Sequence, residues 1–196
     1  MSRCIRVNAV SLRPQPPNIS DAHRGVERRK MKSIPGTTPV QKGAVFLATG
    51  FGIGLIAPFA PGTFGSLPGV VLALWLTRQV LPLQILACLG LALLAVPICG
   101  VAETVLGKKD DGRICADEWM LFPICTIGLP LLQHLWLVPF CFVVARLCDI
   151  LKPPPARSLQ ALHGGVGIVI DDFFASLYAL ALNHVGYRLI LPFLTS

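Results

Sequence analysis

Residues 83–102 carry no charge at all. That is about the 20 residues a helix needs to cross the hydrocarbon core of a bilayer. A second long apolar run covers residues 173–194. Runs of this length narrow the choice of fold. In lipid every backbone N–H and C=O must be paired by the protein itself, which leaves helices or closed barrels. The runs are continuous rather than alternating, which excludes a barrel. Composition agrees: the chain is 54% hydrophobic and 14% charged, with a mean hydropathy of +0.67. Soluble domains carry about 25% charged residues. The expected fold class is all-α, a polytopic helical bundle with about four to five membrane segments.

The net charge of +7 sits at the amino end. Residues 1–42 hold Arg3, Arg6, Arg13, Arg24, Arg28, Arg29, Lys30, Lys32 and Lys42 against Asp21 and Glu27; the remainder is neutral. With five prolines and little apolar surface, residues 1–42 are expected to form a largely disordered tail. Residues 43–196 form the membrane-embedded domain. No aromatic interleaving or folded module supports nucleic-acid binding. The positive-inside rule places this end in the cytoplasm, where it can touch anionic membrane lipids. The first residues lack the pattern of a cleaved signal peptide. Seven cysteines form no C-x-x-C pair, and most lie within apolar runs. They are expected to act as small hydrophobes without a disulfide framework.

Residues 43–60 are apolar but broken by Gly50, Gly52, Gly54 and Pro58. A short helix and an interfacial turn are expected there. Pro61-Gly62-Thr63-Phe64-Gly65-Ser66 follows. Its amides and the hydroxyls of Thr63 and Ser66 suit an anion; a plain Pro-Gly turn is the alternative. Residues 67–81 and 83–102 pair as a hairpin about Pro82. Residues 119–132 and 135–144 form a shorter hairpin, interrupted by Pro123, Pro130 and Pro139, that fits a re-entrant segment. The last spanning helix is expected over residues 173–194.

Two hairpins return every polar motif to one face. Arg146, Asp149 and Lys152 follow one another at i, i+3 spacing and share a helix face. His163-Gly164-Gly165-Val166-Gly167 allows a tight turn and close approach to a ligand, and Asp171-Asp172 follows. Six carboxylates (Glu103, Asp117, Glu118, Asp149, Asp171, Asp172) beside Arg146 and Lys152 suit a Mg²⁺–phosphate site. Hard oxygen ligands hold the metal and the bases offset phosphate charge. Gly164 and Gly165 join Thr63 and Ser66 as candidate phosphate contacts, and His163 is a candidate acid or base. Structural readings stand beside these. Asp171-Asp172 suits a helix N-terminus, the charges suit a salt-bridge network, and a lone His beside glycines suits a turn. Cys141 and Arg146 fall one residue short of the C-x₅-R of a cysteine phosphatase, and no D-x-D motif is present. A small ion or solute transporter is the alternative from another class. No internal repeat supports it, and the acids gather at one interface.

Four blocks now stand in order: PGTFGS, DG-x-I-x-x-DE, R-x-x-D-I-x-KP and HGGVGIVIDD. In sequence and spacing they resemble the phosphatidylglycerophosphatase A family, over about residues 44–190. The resemblance implies a Mg²⁺-dependent lipid phosphatase. Such an enzyme converts phosphatidylglycerophosphate to phosphatidylglycerol in phospholipid biosynthesis, here at a bacterial inner membrane with its site facing the cytoplasm. It implies catalytic and metal-binding roles for Asp117, Glu118, Asp149, Asp171 and Asp172, with Arg146 and Lys152 as basic partners. The chain departs from the family pattern at Leu121, where Gly is usual, at Ala175-Ser176, where an Ala-Gly step is usual, and at Pro154, where an aromatic is common.

Overall fold

The computed structural model describes residues 37–56, 61–108, 111–154, 156 and 164–195. Among these the regular structure is entirely helical. The first helix, α1, spans Pro39–Ala48 and so begins inside the stretch that composition gave to the tail. Thr38 and Gln41 close a reciprocal capping box over its first turn, with Pro39 in the position where a missing N–H costs nothing. After Ala48 the chain turns through Gly50, Phe51 and Gly52, all at positive φ. For Phe51 this conformation costs about 1–2 kcal/mol. Its ring packs 5.7 Å from Phe46 and 5.4 Å from Trp119, which holds the turn closed.

Three short helices follow: α2 (Ile53–Ile56), α3 (Pro61–Gly65) and α4 (Leu67–Leu76). The longer α5 covers Leu81–Leu106 and stops at Gly107, whose φ of 68° is the left-handed C-terminal signal. Its buried residues are Gln84, Cys88, Ala92, Ala95, Ile98, Cys99 and Ala102, and apart from Ile98 they follow one another at spacings of four or three, mostly with small side chains. Such a stripe of small side chains lets helices approach closely where lipid supplies no hydrophobic drive. Leu86, Leu89 and Leu93 point outward on the opposite face. The cysteines are small core residues here, and the six described form no disulfide among the described residues.

The second hairpin departs from two plain helices. α6 is only Ala116–Leu121, and Pro123 tightens the chain into a 3₁₀ turn over Phe122–Thr126. Nearly all of residues 114–126 are buried. Together α6 and the turn reach about 20 Å, short of the ~30 Å hydrocarbon thickness. Backbone freed by the break is satisfied by neighbouring helices. Asn183 donates to Cys125 O at 2.8 Å, His184 lies 2.9 Å from Ile127 O, and Gly128 N donates to Gln84 at 3.0 Å. Irregular backbone persists at membrane depth only with such partners. α7 (Leu137–Leu151) then runs back.

The last helix, α8, spans Gly165–Thr195 and starts two turns earlier than the apolar run suggests. Ile168, Asp172, Ala175, Ala179 and Asn183 form its buried seam. Asp171 and Asp172 therefore lie in the second turn rather than at a cap. That removes the helix N-terminus as an explanation for the pair. Two helices, Leu81–Leu106 and Gly165–Pro192, are long and apolar enough to span a membrane. The remaining apolar helices among the described residues are shorter, so four to five full spans are not reached by length. Exposed leucines, valines and isoleucines on α4, α5, α7 and α8 make an apolar outer surface around a mainly apolar core that also encloses Asp117, Asp171 and Asp172.

Candidate active site

Four pieces of chain meet at one end of α8. α6 supplies Asp117 and Glu118, the last two turns of α7 supply Arg146 and Asp149, α8 supplies Asp171 and Asp172, and Ser66 comes from the α3–α4 junction. Arg146 Nη1 donates to Glu118 Oε1 at 3.1 Å and lies 3.3 Å from Asp149 Oδ2. The other Glu118 oxygen, Oε2, is 2.9 Å from Ser66 Oγ. Lys152 Nζ donates to Asp171 Oδ2 at 2.6 Å. Lys152 was expected to share a face with Asp149. Instead it closes α7 at φ 43°, leaves the helical path before Pro153, and swings across to α8.

Asp117 and Asp172 are buried and face the remaining acids. Burial, and then the charges of Glu118, Asp149 and Asp171, push the Asp117 carboxyl well above the usual carboxylate range. Burial also raises Glu118, against the opposing pull of Arg146 and Ser66. Asp117 Oδ1 and Asp171 Oδ1 are buried without a hydrogen-bond partner among the described residues. Five carboxylates share two cations, Arg146 and Lys152. An acidic cluster so placed must take up protons or a further cation. Among the described residues no group of three or more His, Cys, Asp or Glu side chains is placed to hold a metal ion by itself. Mg²⁺ does not require one. It keeps several waters and takes one or two carboxylates plus phosphate oxygens. Hard oxygen donors with two orphaned buried oxygens fit that ion.

The other expected site residues lie as follows. Thr63 is exposed. Gly164 has φ 73° just before α8. Gly165 packs directly on α5, against Val96 O and Gly100 N, so its missing side chain serves helix contact. Asp111 is taken by Arg113 in a bidentate pair at 2.7 and 2.8 Å. Glu103 enters none of the ion pairs found among the described residues. His163 lies outside the described residues.

The motif glycines do a packing job that spacing alone does not reveal. A side chain at Gly62 would run into the Glu118 carboxylate, one at Gly65 into Cys115, and one at Gly69 into the Trp119 backbone and Phe122. These glycines let α3 and α4 lie directly on α6. Gly43, by contrast, has open space on exposed α1. Gly65→Ala should therefore cost about 1–3 kcal/mol by overpacking, whereas Gly43→Ala should add about 0.5–1 kcal/mol. Melting of both variants in detergent checks this. Equal melting temperatures would mean that α3 does not press on α6.

The profile of the family Phosphatidylglycerophosphatase A matches residues 46–187. The chain belongs to this family. It is accordingly a phosphatase. It is 36% identical over 156 residues to phosphatidylglycerophosphatase A of Haemophilus influenzae, covering 79% of this chain and 92% of the relative. Against phosphatidylglycerophosphatase A of Escherichia coli it is 36% identical over 147 residues, 72% and 83% of the two chains. A Bacteroides thetaiotaomicron protein, provisionally named a phosphatidylinositol-3-phosphatase, is 32% identical over 150 residues, 72% and 92% of the two chains. No solved structure matches the chain.

The matched region of the family contains all four motif blocks and every charged residue of the cluster. One neighbour escaped the sequence reading. Cys99 on α5 lies against the backbone of Asp117 and close to Asp172. Its signal was its place in the small-residue stripe, which becomes visible once the facing helix is known.

Proposed function

We propose that this phosphatase hydrolyses phosphatidylglycerophosphate to phosphatidylglycerol and inorganic phosphate in glycerophospholipid biosynthesis. The observation that carries the reading is the convergence of five carboxylates and two cations at the end of a membrane bundle, in a chain of this family. Arg146 and Lys152 lie where they can offset the charge of a headgroup phosphate, the arginine with a planar fork suited to phosphate oxygens. The orphaned oxygens of Asp117 and Asp171, with Asp172, Asp149 and Glu118 beside them, would hold Mg²⁺. When bound, the ion polarises the phosphate and offsets charge that develops as the ester bond breaks. The apolar outer faces of α5 and α8 keep the cluster at the bilayer, where a lipid can present its headgroup without leaving the membrane. The basic residues of 1–42 support a cytoplasmic orientation at a bacterial inner membrane.

The names of the relatives point to two lipid substrates, phosphatidylglycerophosphate and a phosphatidylinositol 3-phosphate, and the test should separate them. Purified protein in detergent, supplied with Mg²⁺, should release phosphate from phosphatidylglycerophosphate at least tenfold faster than from phosphatidylinositol 3-phosphate. The reverse preference would transfer the assignment to the inositol lipid. Release from neither would end the lipid phosphatase reading. No observation favours transport.

A further inference from the structure

We infer that Ser66 is a positioning residue for Glu118 rather than a ligand of the substrate phosphate. The inference rests on the functional reading above and deepens it. Ser66 is 0% exposed, so its hydroxyl is closed to a headgroup. Its Oγ lies 2.6 Å from Gly62 O and 2.9 Å from Glu118 Oε2, so its one proton is shared between a carbonyl and the carboxylate. The backbone around it is also committed: Ser66 N donates to Gly62 O at 2.9 Å, and Gly69 N donates to Ser66 O at 2.9 Å. Thr63, the other hydroxyl of the motif, is the exposed one.

Glu118 is thus fixed at both oxygens, by Ser66 on Oε2 and by Arg146 on Oε1. A third wall is the Cα of Gly62. A Cβ there would fall on the Glu118 carboxylate. A long side chain with several free rotamers is held in one of them by a hydroxyl, a guanidinium and a missing methyl group. The motif works as a rack that aims Glu118 into the acidic cluster. Held groups of this kind keep a site within the narrow tolerance that chemistry requires.

A double-mutant cycle decides between the roles. Ser66→Ala should lower kcat ~10–100-fold with KM unchanged within about twofold, because an aimed group is lost and substrate contact is kept. Gly62→Ala should do the same from the opposite side. In a Glu118→Gln background neither change should lower kcat by more than about twofold further, since both act through Glu118. A second readout uses Mn²⁺ alone, followed by electron paramagnetic resonance without substrate. Ser66→Ala should weaken Mn²⁺ binding at least threefold, and no further weakening should follow in the Glu118→Gln background. A raised KM with kcat intact, or losses that multiply with Glu118→Gln, would make Ser66 a substrate contact and overturn the inference. So would unchanged Mn²⁺ binding in Ser66→Ala. Failure of the wild-type protein to release lipid phosphate would strike the functional reading instead, and the Mn²⁺ measurements would still decide the role of Ser66.

Discussion

Asp172→Asn should lower turnover about 10²–10³-fold while leaving the protein at least as stable in metal-free detergent. Several kcal/mol of transition-state stabilisation accompany a well-placed charge of this kind. Its position makes the result diagnostic. Asp172 is buried in the second turn of α8, within reach of the carboxylates of Asp117, Asp149, Asp171 and Glu118. Asn keeps its shape and removes one like charge, so the fold gains from the change and the chemistry loses. Asp171→Asn separates the two contributions. It should lose activity on the same scale, but it also removes the negative charge that faces Lys152 at 2.6 Å and leaves that ammonium a neutral acceptor at best. Its melting should therefore fall, by the equivalent of about 1 kcal/mol, where that of Asp172→Asn does not. Phosphate release and melting curves on the same preparations read both effects. Wild-type turnover in both variants would take the pair out of the site.

The charged cluster was legible because its chemistry is confined to a few short motifs. Asp117, Glu118, Arg146, Asp149, Lys152, Asp171 and Asp172 were each picked out by residue type, and counting chain crossings put them on one face. Geometry within the cluster was not legible. Helical spacing paired Lys152 with Asp149, but a left-handed residue before a proline leaves the helix, and no periodicity foretells which way it turns. The start of α8 was misplaced because Gly164 and Gly165 read as a tight turn. Gly165 is helical since its contact with α5 needs a residue without a side chain. Likewise 119–132 looked like an arm of a hairpin. Its buried 3₁₀ turn depends on Asn183, His184 and Gln84, which are distant in sequence and unremarkable where they stand. Among the glycines of the PGTFGS block, the anion-cradle reading rested on exposed amides. The structure uses Gly62 and Gly65 to bring two short helices onto α6.

Removal of divalent metal should abolish the activity. After exhaustive chelation, turnover should fall at least ~100-fold, Mg²⁺ should restore it, and Mn²⁺ should restore a part. Stability supplies an independent check, and its sign follows from the acids. Burial raises the Asp117 and Glu118 carboxyls above their ordinary values. Groups raised on folding bind protons more tightly in the folded state. Their favourable contribution is complete below the ordinary carboxylate range and is lost as pH rises through their elevated folded values. Without metal, the melting temperature should therefore decline as pH is raised from about 4 toward neutrality. Mg²⁺ binds the ionised acids and should reverse that decline. At a concentration 100 times its dissociation constant it adds about 2.7 kcal/mol. The gain should be large near neutral pH and small near pH 4, where protons occupy the cluster. A salt-bridge network with no metal role would show the same decline with pH but no response to Mg²⁺, and its activity would survive chelation. Full turnover after chelation, with melting indifferent to Mg²⁺ at neutral pH, would leave Arg146 and Lys152 as the cluster's only counter-charges and the acids as structural.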